Sequence, residues 1–171
     1  ADANGGYDFE MAAEFWKKAE RYDLEVFEQP VPADRLPDMA KLRREYGIRI
    51  CGDEAICDEK SLKTAIESEA VDMINLKLMK CGGLTPAIEM IQIAQDAGIE
   101  LMTGCMGDIG ISISAAAHLS LGKGIGIVEL DSHLNIEPIC DGPPVKAGVL
   151  RVAPKPGLGI SLIDGWQKWV V

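Results

Sequence analysis

The sequence lacks the features of a membrane protein or a nucleic-acid-binding protein. No apolar run approaches the roughly 20 residues that a membrane-spanning helix needs, and the N-terminus does not resemble a signal peptide. Basic residues are in deficit: 17 Lys and Arg stand against 27 Asp and Glu, for a formal net charge of −10. Nucleic acid and anionic membranes both require a basic face, so we expect neither as a partner.

The chain also lacks paired cysteines and has little histidine. Its five cysteines are an odd number, no two have CxxC spacing, and only two histidines accompany them. We interpret them as reduced, mostly buried thiols and expect a cytoplasmic protein. A structural zinc site is not expected from so few histidines and such spacing.

Helical and strand patterns alternate along most of the 171 residues. Apolar stripes with helical spacing, such as Met39, Leu42 and Tyr46 in 35–46, are separated by short apolar runs such as 48–52 and 71–77. Thr85 and Pro86 predict a helix start, and Gly98 predicts its end. Strands that alternate with helices of this length indicate βαβ units and a parallel sheet.

A polar residue closes each of the first four apolar runs. These residues are Asp2, Glu28, Asp53 and Lys77, and they are separated by 26, 25 and 24 positions. In a parallel β/α barrel the strand ends open onto one face, where active sites are assembled. The regular spacing therefore predicts three carboxylates and a lysine around one barrel mouth.

Three convergent carboxylates repel one another unless a cation neutralises them. Mg²⁺ prefers such oxygen ligands, so Asp2, Glu28 and Asp53 are candidate metal ligands. Lys77 is a candidate acid/base, because partial burial can bring a lysine into proton exchange with substrate. The alternatives are solvated loop acids and a lysine that pairs structurally with Asp53 or Glu54.

At these positions the motifs "DAN", "EQP", "GDE" and "NLKLMKCGG" resemble successive segments of the enolase superfamily, in its muconate-lactonizing subgroup. The stretches "GCMGDIGISISAAAHLS" and "KPGLGISL" are similar to later segments of that subgroup. The resemblance implies a TIM-type (β/α)₈ barrel and a separate N-terminal capping domain. It also implies Mg²⁺ held by Asp2, Glu28 and Asp53, with Lys77 as one acid/base. The implied chemistry is proton abstraction beside a carboxylate, through a metal-stabilised enediolate.

Within the subgroup the chain is most similar to dipeptide epimerases of the L-Ala-D/L-Glu type. These carry a D-x-D motif at the last strand, where "ELDSHL" supplies Glu129 and Asp131. Two acids spaced i, i+2 on a strand point to one side and suit a substrate ammonium group. The resemblance also assigns Asp108 to substrate binding, and we place Glu54 beside the metal ligands as a supporting residue.

Other reactions remain open at this stage. Muconate cycloisomerases, N-acylamino acid racemases and o-succinylbenzoate synthases share the same frame. A non-catalytic, barrel-like binding domain is a further alternative, because the Lys-x-Lys motif that the resemblance implies for the second barrel strand does not occur in this chain.

The chain is therefore expected to be a fragment. We predict that residues 1–135 form the C-terminal five to six β/α units of a barrel. Residues 136–171 are predicted to form a β tail, with two short strands around a Pro/Gly turn within 147–162, packing on the barrel or on the capping domain. The isolated fragment is expected to be inactive, since inverting a carbon centre needs a base on each face. A homo-oligomer that acts on a small-molecule substrate, a dipeptide or a related carboxylate, is expected at full length.

Overall fold

The computed structural model describes residues 1–169, in which helices and strands alternate as the sequence predicts. The helices are α1 (Phe9–Ala19), α2 (Leu36–Tyr46), α3 (Glu59–Glu67), α4 (Leu78–Cys81), α5 (Leu84–Asp96) and α6 (Gly110–Lys123). The strands are β1 (Phe27–Glu28), β2 (Ile50–Gly52), β3 (Met73–Leu76), β4 (Glu100–Thr103), β5 (Ile127–Val128), β6 (Val145–Lys146) and β7 (Val149–Leu150). Short 3₁₀ turns occupy Glu20–Tyr22, Ser132–Asn135 and Trp166–Trp169.

The first five strands form one sheet in the order β1-β2-β3-β4-β5. Neighbours in chain order are neighbours in the sheet, and the β1–β2, β2–β3 and β4–β5 pairs are parallel. Helices connect the strands, because a parallel pair needs a crossover connection. The predicted class, part of a parallel β/α barrel, is confirmed.

The described chain divides into two compact units. The first comprises Ala1–Leu76 and Thr85–Leu101, and the second comprises Lys77–Leu84 and the chain from Met102 onward. The predicted boundary after residue 135 stays a prediction.

An aromatic cluster anchors α1 in the first unit. Asp8 starts the helix, because its carboxylate accepts a hydrogen bond from the Met11 backbone N–H at 2.8 Å. Ala12 is fully buried, and Phe15 and Trp16 pack on buried Phe27 with ring centroids 5.0 and 6.0 Å apart. This packing fixes β1 beneath α1, so the direction of the chain entering Glu28 is set by burial of aromatic surface.

Gly52 is closely packed at the end of β2. A Cβ at Gly52 would lie 2.7 Å from Ile56 Cδ1 and 3.0 Å from Val71 Cγ1. Any larger residue would displace those side chains, of which Ile56 is itself almost fully buried. Gly52 therefore lets these two side chains pack directly against the backbone at the turn toward Asp53.

An ion pair lies at the amino ends of β2 and β3. Arg43 on α2 donates from Nε to Asp72 at 2.8 Å, and its remaining guanidinium N–H groups reach the second Asp72 oxygen and the Glu69 carbonyl. The Asp72 carboxylate also accepts the Ile50 N–H at 2.9 Å. Because it bonds both the helix and β2, Asp72 fixes where the strands begin.

In the second unit, α6 presents a buried face of small residues. Its alanines 115–117 are almost fully buried, and its first residue, Gly110, lies against the Gly142 carbonyl oxygen and Cys140 Sγ. A side chain at position 110 would collide with both groups. The hairpin of β6 and β7 belongs to this unit, with Val145 opposite Leu150.

The cysteines are thiols rather than disulfides, as expected. Cys51, Cys81 and Cys140 are buried, while Cys57 is exposed. Across residues 1–169, none of the helices combines the length and the apolar character needed to cross a membrane.

Two boundary predictions were wrong. The helix predicted to start after a Thr85 cap begins at Leu84, because Gly82 and Gly83 take left-handed φ angles of 89° and 109° and end α4 immediately before it. The two strands predicted within 147–162 are instead the shorter pair β6 and β7, which turns at Ala147 and Gly148. In place of a second strand, residues 153–162 supply only a single bridge, between Cys140 and Leu162.

The capping box of α3 yields a stability prediction. Asp58 accepts a hydrogen bond from the Ser61 N–H at 2.7 Å. Hydrogen bonds from Ser61, first from its side chain and second from its backbone, lower the pKa of Asp58 below its ordinary value of 3.8. We expect Asp58→Ala to lower the free energy of unfolding by about 1 kcal/mol at neutral pH. A lowered pKa means that the charged form stabilises the fold above pH 3.8, and this part is lost as pH falls through the folded-state pKa.

Urea unfolding of the chain at pH 7 and pH 3 measures this effect. Asp34→Ala is the matched control, since Asp34 is exposed and Arg35 holds the N-cap position of α2. Equal destabilisation by both substitutions would contradict the capping role of Asp58.

Candidate active site

The three predicted metal ligands lie at the carboxyl ends of adjacent parallel segments of the first unit. Asp2 forms a parallel bridge with Glu28, and Glu28 is in register with Cys51 on β2. Asp53 follows Cys51 by two residues, in the bend immediately after the end of β2. The structure therefore brings together the backbone positions that the spacing of about 25 residues predicted.

The Asp2 carboxylate is held by its own turn. Its two oxygens accept hydrogen bonds from the Asn4 backbone N–H at 2.8 Å and from Asn4 Nδ2 at 2.9 Å. Asn4 has a φ of 46°, in the left-handed region that asparagine tolerates better than most residues. The side chain of Asp2 is exposed, with its orientation set locally.

Glu28 is half-buried and contacts a residue that the sequence interpretation missed. Its Oε1 accepts a hydrogen bond of 2.8 Å from Asn75 Nδ2, and Asn75 lies on β3 with 1% of its surface exposed. A signal was present, because Asn75 is the single polar residue of the strand "MINL". Asn75 orients the Glu28 carboxylate.

Asp53 is the most buried of the three acids, with 2% of its surface exposed. Its backbone N–H donates to Gln29 Oε1 at 3.0 Å. A carboxylate in such surroundings is costly unless hydrogen bonds or a cation compensate for lost hydration. Burial thus sets Asp53 apart from the exposed Asp2 and the half-buried Glu28.

The donor chemistry of these residues fits a hard divalent ion. Three carboxylates at neighbouring strand ends supply oxygen ligands of the kind that Mg²⁺ takes, with room for water or substrate oxygens. As the side chains stand in residues 1–169, no three His, Cys, Asp or Glu side chains already form a metal-binding group. Assignment of Asp2, Glu28 and Asp53 to a metal stays a prediction.

Glu54, the predicted supporting residue, is exposed. Its backbone carbonyl accepts a weak hydrogen bond from Cys57 Sγ at 3.4 Å. This contact concerns the turn after Asp53, and the role of the Glu54 side chain stays a prediction.

In the second unit, Lys77 follows β3 directly in the chain. Its backbone is extended, with φ −120° and ψ 124°, and it stands at the N-cap position of α4. Its carbonyl accepts the N–H groups of Lys80 and Cys81 at 3.0 and 3.2 Å. The half-buried Lys77 is thus fixed in its backbone by the first turn of a short helix that the sequence did not predict.

Asp108 is buried in the loop that precedes α6, with 5% of its surface exposed. Its carboxylate accepts the Met106 N–H at 2.6 Å and the Ser112 hydroxyl, and its carbonyl accepts the Ser132 hydroxyl at 3.0 Å. These contacts order the loop. A direct contact of Asp108 with substrate stays a prediction.

Glu129 and Asp131 follow β5 and are both exposed, while Leu130 between them is buried. Both acids lie beyond the end of β5, and Asp131 has helical backbone angles at the start of the Ser132–Asn135 turn, so their shared orientation stays a prediction. Asp131 Oδ1 lies 3.9 Å from Cys105 Sγ, and the Glu129 N–H donates to the Thr103 carbonyl at 2.9 Å. Two exposed acids that converge after a strand end can bind a cationic group.

Comparison with known proteins identifies relatives along the whole chain. The family model "Enolase C-terminal domain-like" matches residues 1–166. A hydrophobic dipeptide epimerase of Roseobacter litoralis is 38% identical over 162 residues, which cover 92% of this chain and 45% of that protein.

Two solved structures match closely. An N-succinyl Arg/Lys racemase from Bacillus cereus has a TM-score of 0.93 at 30% identity. The match covers 98% of this chain and 46% of the racemase chain. A dipeptide epimerase from Cytophaga hutchinsonii, complexed with Mg and the dipeptide D-Ala-L-Val, has a TM-score of 0.91 at 30% identity, over 98% and 47% of the two chains. The present chain spans about half the length of the relatives it matches.

The contacts of Asp108 lead to a stability prediction. Ser112→Ala removes one donor from a buried carboxylate, so we expect the free energy of unfolding to fall by about 1–3 kcal/mol. Chemical unfolding monitored by circular dichroism measures the change. The control is Ser68→Ala, which deletes a hydroxyl bonded only to carbonyls of its own helix. A loss no larger than that of the control would contradict the ordering role of Asp108.

Proposed function

We propose that this chain, which belongs to the enolase C-terminal domain-like family, is the catalytic portion of a Mg²⁺-dependent epimerase of dipeptides. The observation that carries the proposal is the register that sets Asp2, Glu28 and the β2 end bearing Asp53 side by side. The Mg and dipeptide bound to the Cytophaga hutchinsonii epimerase, which matches this chain at 30% identity, support it.

Asp2, Glu28 and Asp53 would hold the ion. When bound, Mg²⁺ would supply positive charge that stabilises negative charge developing on the substrate carboxylate during proton removal. Asn75 would keep the Glu28 carboxylate oriented, because its amide donates to Glu28 Oε1 at 2.8 Å. Burial of Asp53 would exclude water from its side of the ion.

Lys77 would transfer the α-proton on one face of the substrate carbon. The neutral amine would accept the proton, and the ammonium would return a solvent-derived proton to the same face. Inversion of the centre then requires a second base on the opposite face. The Lys-x-Lys motif that would supply it does not occur in this chain, so the complete reaction belongs to a longer protein.

Glu129 and Asp131 would select the substrate class. Both are exposed just after β5, and two carboxylates that converge there would hold the free ammonium group of a dipeptide. Asp108 would shape the pocket through the loop that it orders. Glu54 would support the metal ligands from the turn after Asp53.

One alternative within the family is supported by its own observation. The racemase from Bacillus cereus matches with a TM-score of 0.93 and is named for N-succinyl Arg/Lys. An N-acylated substrate has no free ammonium at its α-nitrogen, so it would make little use of Glu129 and Asp131. A cycloisomerase or an o-succinylbenzoate synthase would likewise lack that group, and a non-catalytic binding domain would use neither Lys77 nor a second base.

Neutralising Asp131 distinguishes these substrates. We expect Asp131→Asn in the full-length protein to lower kcat/KM for dipeptides by about 10- to 100-fold, because a hydrogen bond to a charged group is worth about 1.5–3 kcal/mol. Turnover of an N-succinyl amino acid serves as the internal comparison and should change little. Intact dipeptide turnover in Asp131→Asn would contradict the ammonium-binding role of Asp131, and no dipeptide turnover by the unmodified protein would exclude the epimerase assignment.

Deuterium exchange tests the role of Lys77. In D₂O the full-length protein should exchange the substrate α-proton from both epimers, whereas Lys77→Ala should retain exchange from one epimer only. Mass spectrometry of the recovered dipeptide measures the label. Lys80→Ala is the matched lysine control and should keep exchange from both epimers. No exchange by the unmodified protein would instead favour a binding domain.

A further inference from the structure

The backbone of Gln29 bonds two neighbouring segments of the first unit. Its N–H donates to the Cys51 carbonyl at 2.9 Å, and its own carbonyl accepts the Gly5 N–H at 2.7 Å. The residue lies immediately after Glu28 and is fully buried. The peptide groups of Gln29 therefore contact the loop that follows Asp2 and the strand that leads to Asp53.

The side chain of Gln29 adds a second set of contacts. Oε1 accepts the N–H groups of Asp53 at 3.0 Å and Ala55 at 3.1 Å. Nε2 donates to the Val31 carbonyl at 2.8 Å. One amide thus bonds the turn that carries Asp53 to the turn that follows Glu28, and the partners fix which end of the amide is oxygen.

The backbone of Gln29 is strained. Its φ of 32° lies in the left-handed region, which a residue with a long side chain rarely adopts. Such a conformation persists only where the surroundings over-determine it, and these residues concentrate at functional sites. Here five backbone groups on neighbouring turns hold the residue in place.

We infer that Gln29 is a positioning residue that sets the separation between the Glu28 and Asp53 carboxylates, and thereby the affinity of the ion they share. The inference rests on the metal site of the proposed function. Gln29 does not ligate the ion, because its amide oxygen is engaged by two backbone N–H groups. It acts by fixing the peptide from which the Asp53 side chain departs.

This positioning role requires a side chain with a primary amide. The side chain must accept from two N–H groups and donate to a carbonyl while carrying no charge among three carboxylates. Methionine has a similar size but can replace neither function. Glutamate keeps the acceptor but loses the donor to Val31 and adds a fourth negative charge in a fully buried position.

Titration calorimetry with Mg²⁺ on the full-length protein tests the inference, with thermal unfolding measured in parallel. Gln29→Met should weaken Mg²⁺ binding by about 10- to 100-fold, the usual effect of removing a residue that orients metal ligands. Calorimetry measures Mg²⁺ binding without turnover, so the result does not depend on the substrate or on the second base.

Asp72→Asn is the matched control. It disrupts a comparable cross-connection in the same unit, to Arg43 and Ile50, but at the amino ends of β2 and β3 rather than at the carboxyl ends of β1 and β2. It should lower the unfolding temperature while leaving Mg²⁺ affinity within about threefold of the unmodified protein, as expected for distant sites. If Gln29→Met does not fold, Gln29→Asn, which keeps a neutral amide on a shorter side chain, takes its place, and its loss of affinity should still exceed that of Asp72→Asn.

The two possible failures are distinguishable. Binding of Mg²⁺ by the unmodified protein that survives Gln29 substitution, or an equal loss in Asp72→Asn, would overturn the positioning role alone. Absence of Mg²⁺ binding by the unmodified protein would overturn the proposed metal site, and the positioning role with it.

Discussion

The register of β1 against β2 is the constraint on which the candidate site depends. Phe27 pairs with Ile50 and Glu28 with Cys51, so Phe27 joins the aromatic cluster while Glu28 takes the other face. A slip of one residue would exchange these faces and bury a carboxylate among aromatic rings. Burial of Phe27 beneath α1 thus specifies the direction of Glu28, although the two side chains serve different purposes.

Much of this arrangement could be predicted because its signals are local or repeat along the chain. Asp58 caps α3 and Gly47 ends α2, as residue types at helix ends predict. The spacing of Asp2, Glu28 and Asp53 reflects one strand and one helix per unit, so the period of the fold is visible in the sequence. The resemblance to the enolase superfamily is confirmed by the match over residues 1–166.

The remainder depends on contacts between residues distant in sequence, for which a single sequence carries little signal. Asn75 reaches Glu28 across 47 positions, and Gln29 reaches Asp53 across 24. The short helix α4 ends at two consecutive glycines with positive φ. In the sequence, such a pair is equally typical of a simple turn without a helix. In the tail, no core periodicity accompanies the strands, and their positions were wrong by several residues.

Gln29 has a consequence for how the site responds to acid. Carboxylates gain protons as pH falls, whereas a primary amide remains neutral across the whole range that a protein survives. The connection between the turns of Glu28 and Asp53 therefore does not titrate.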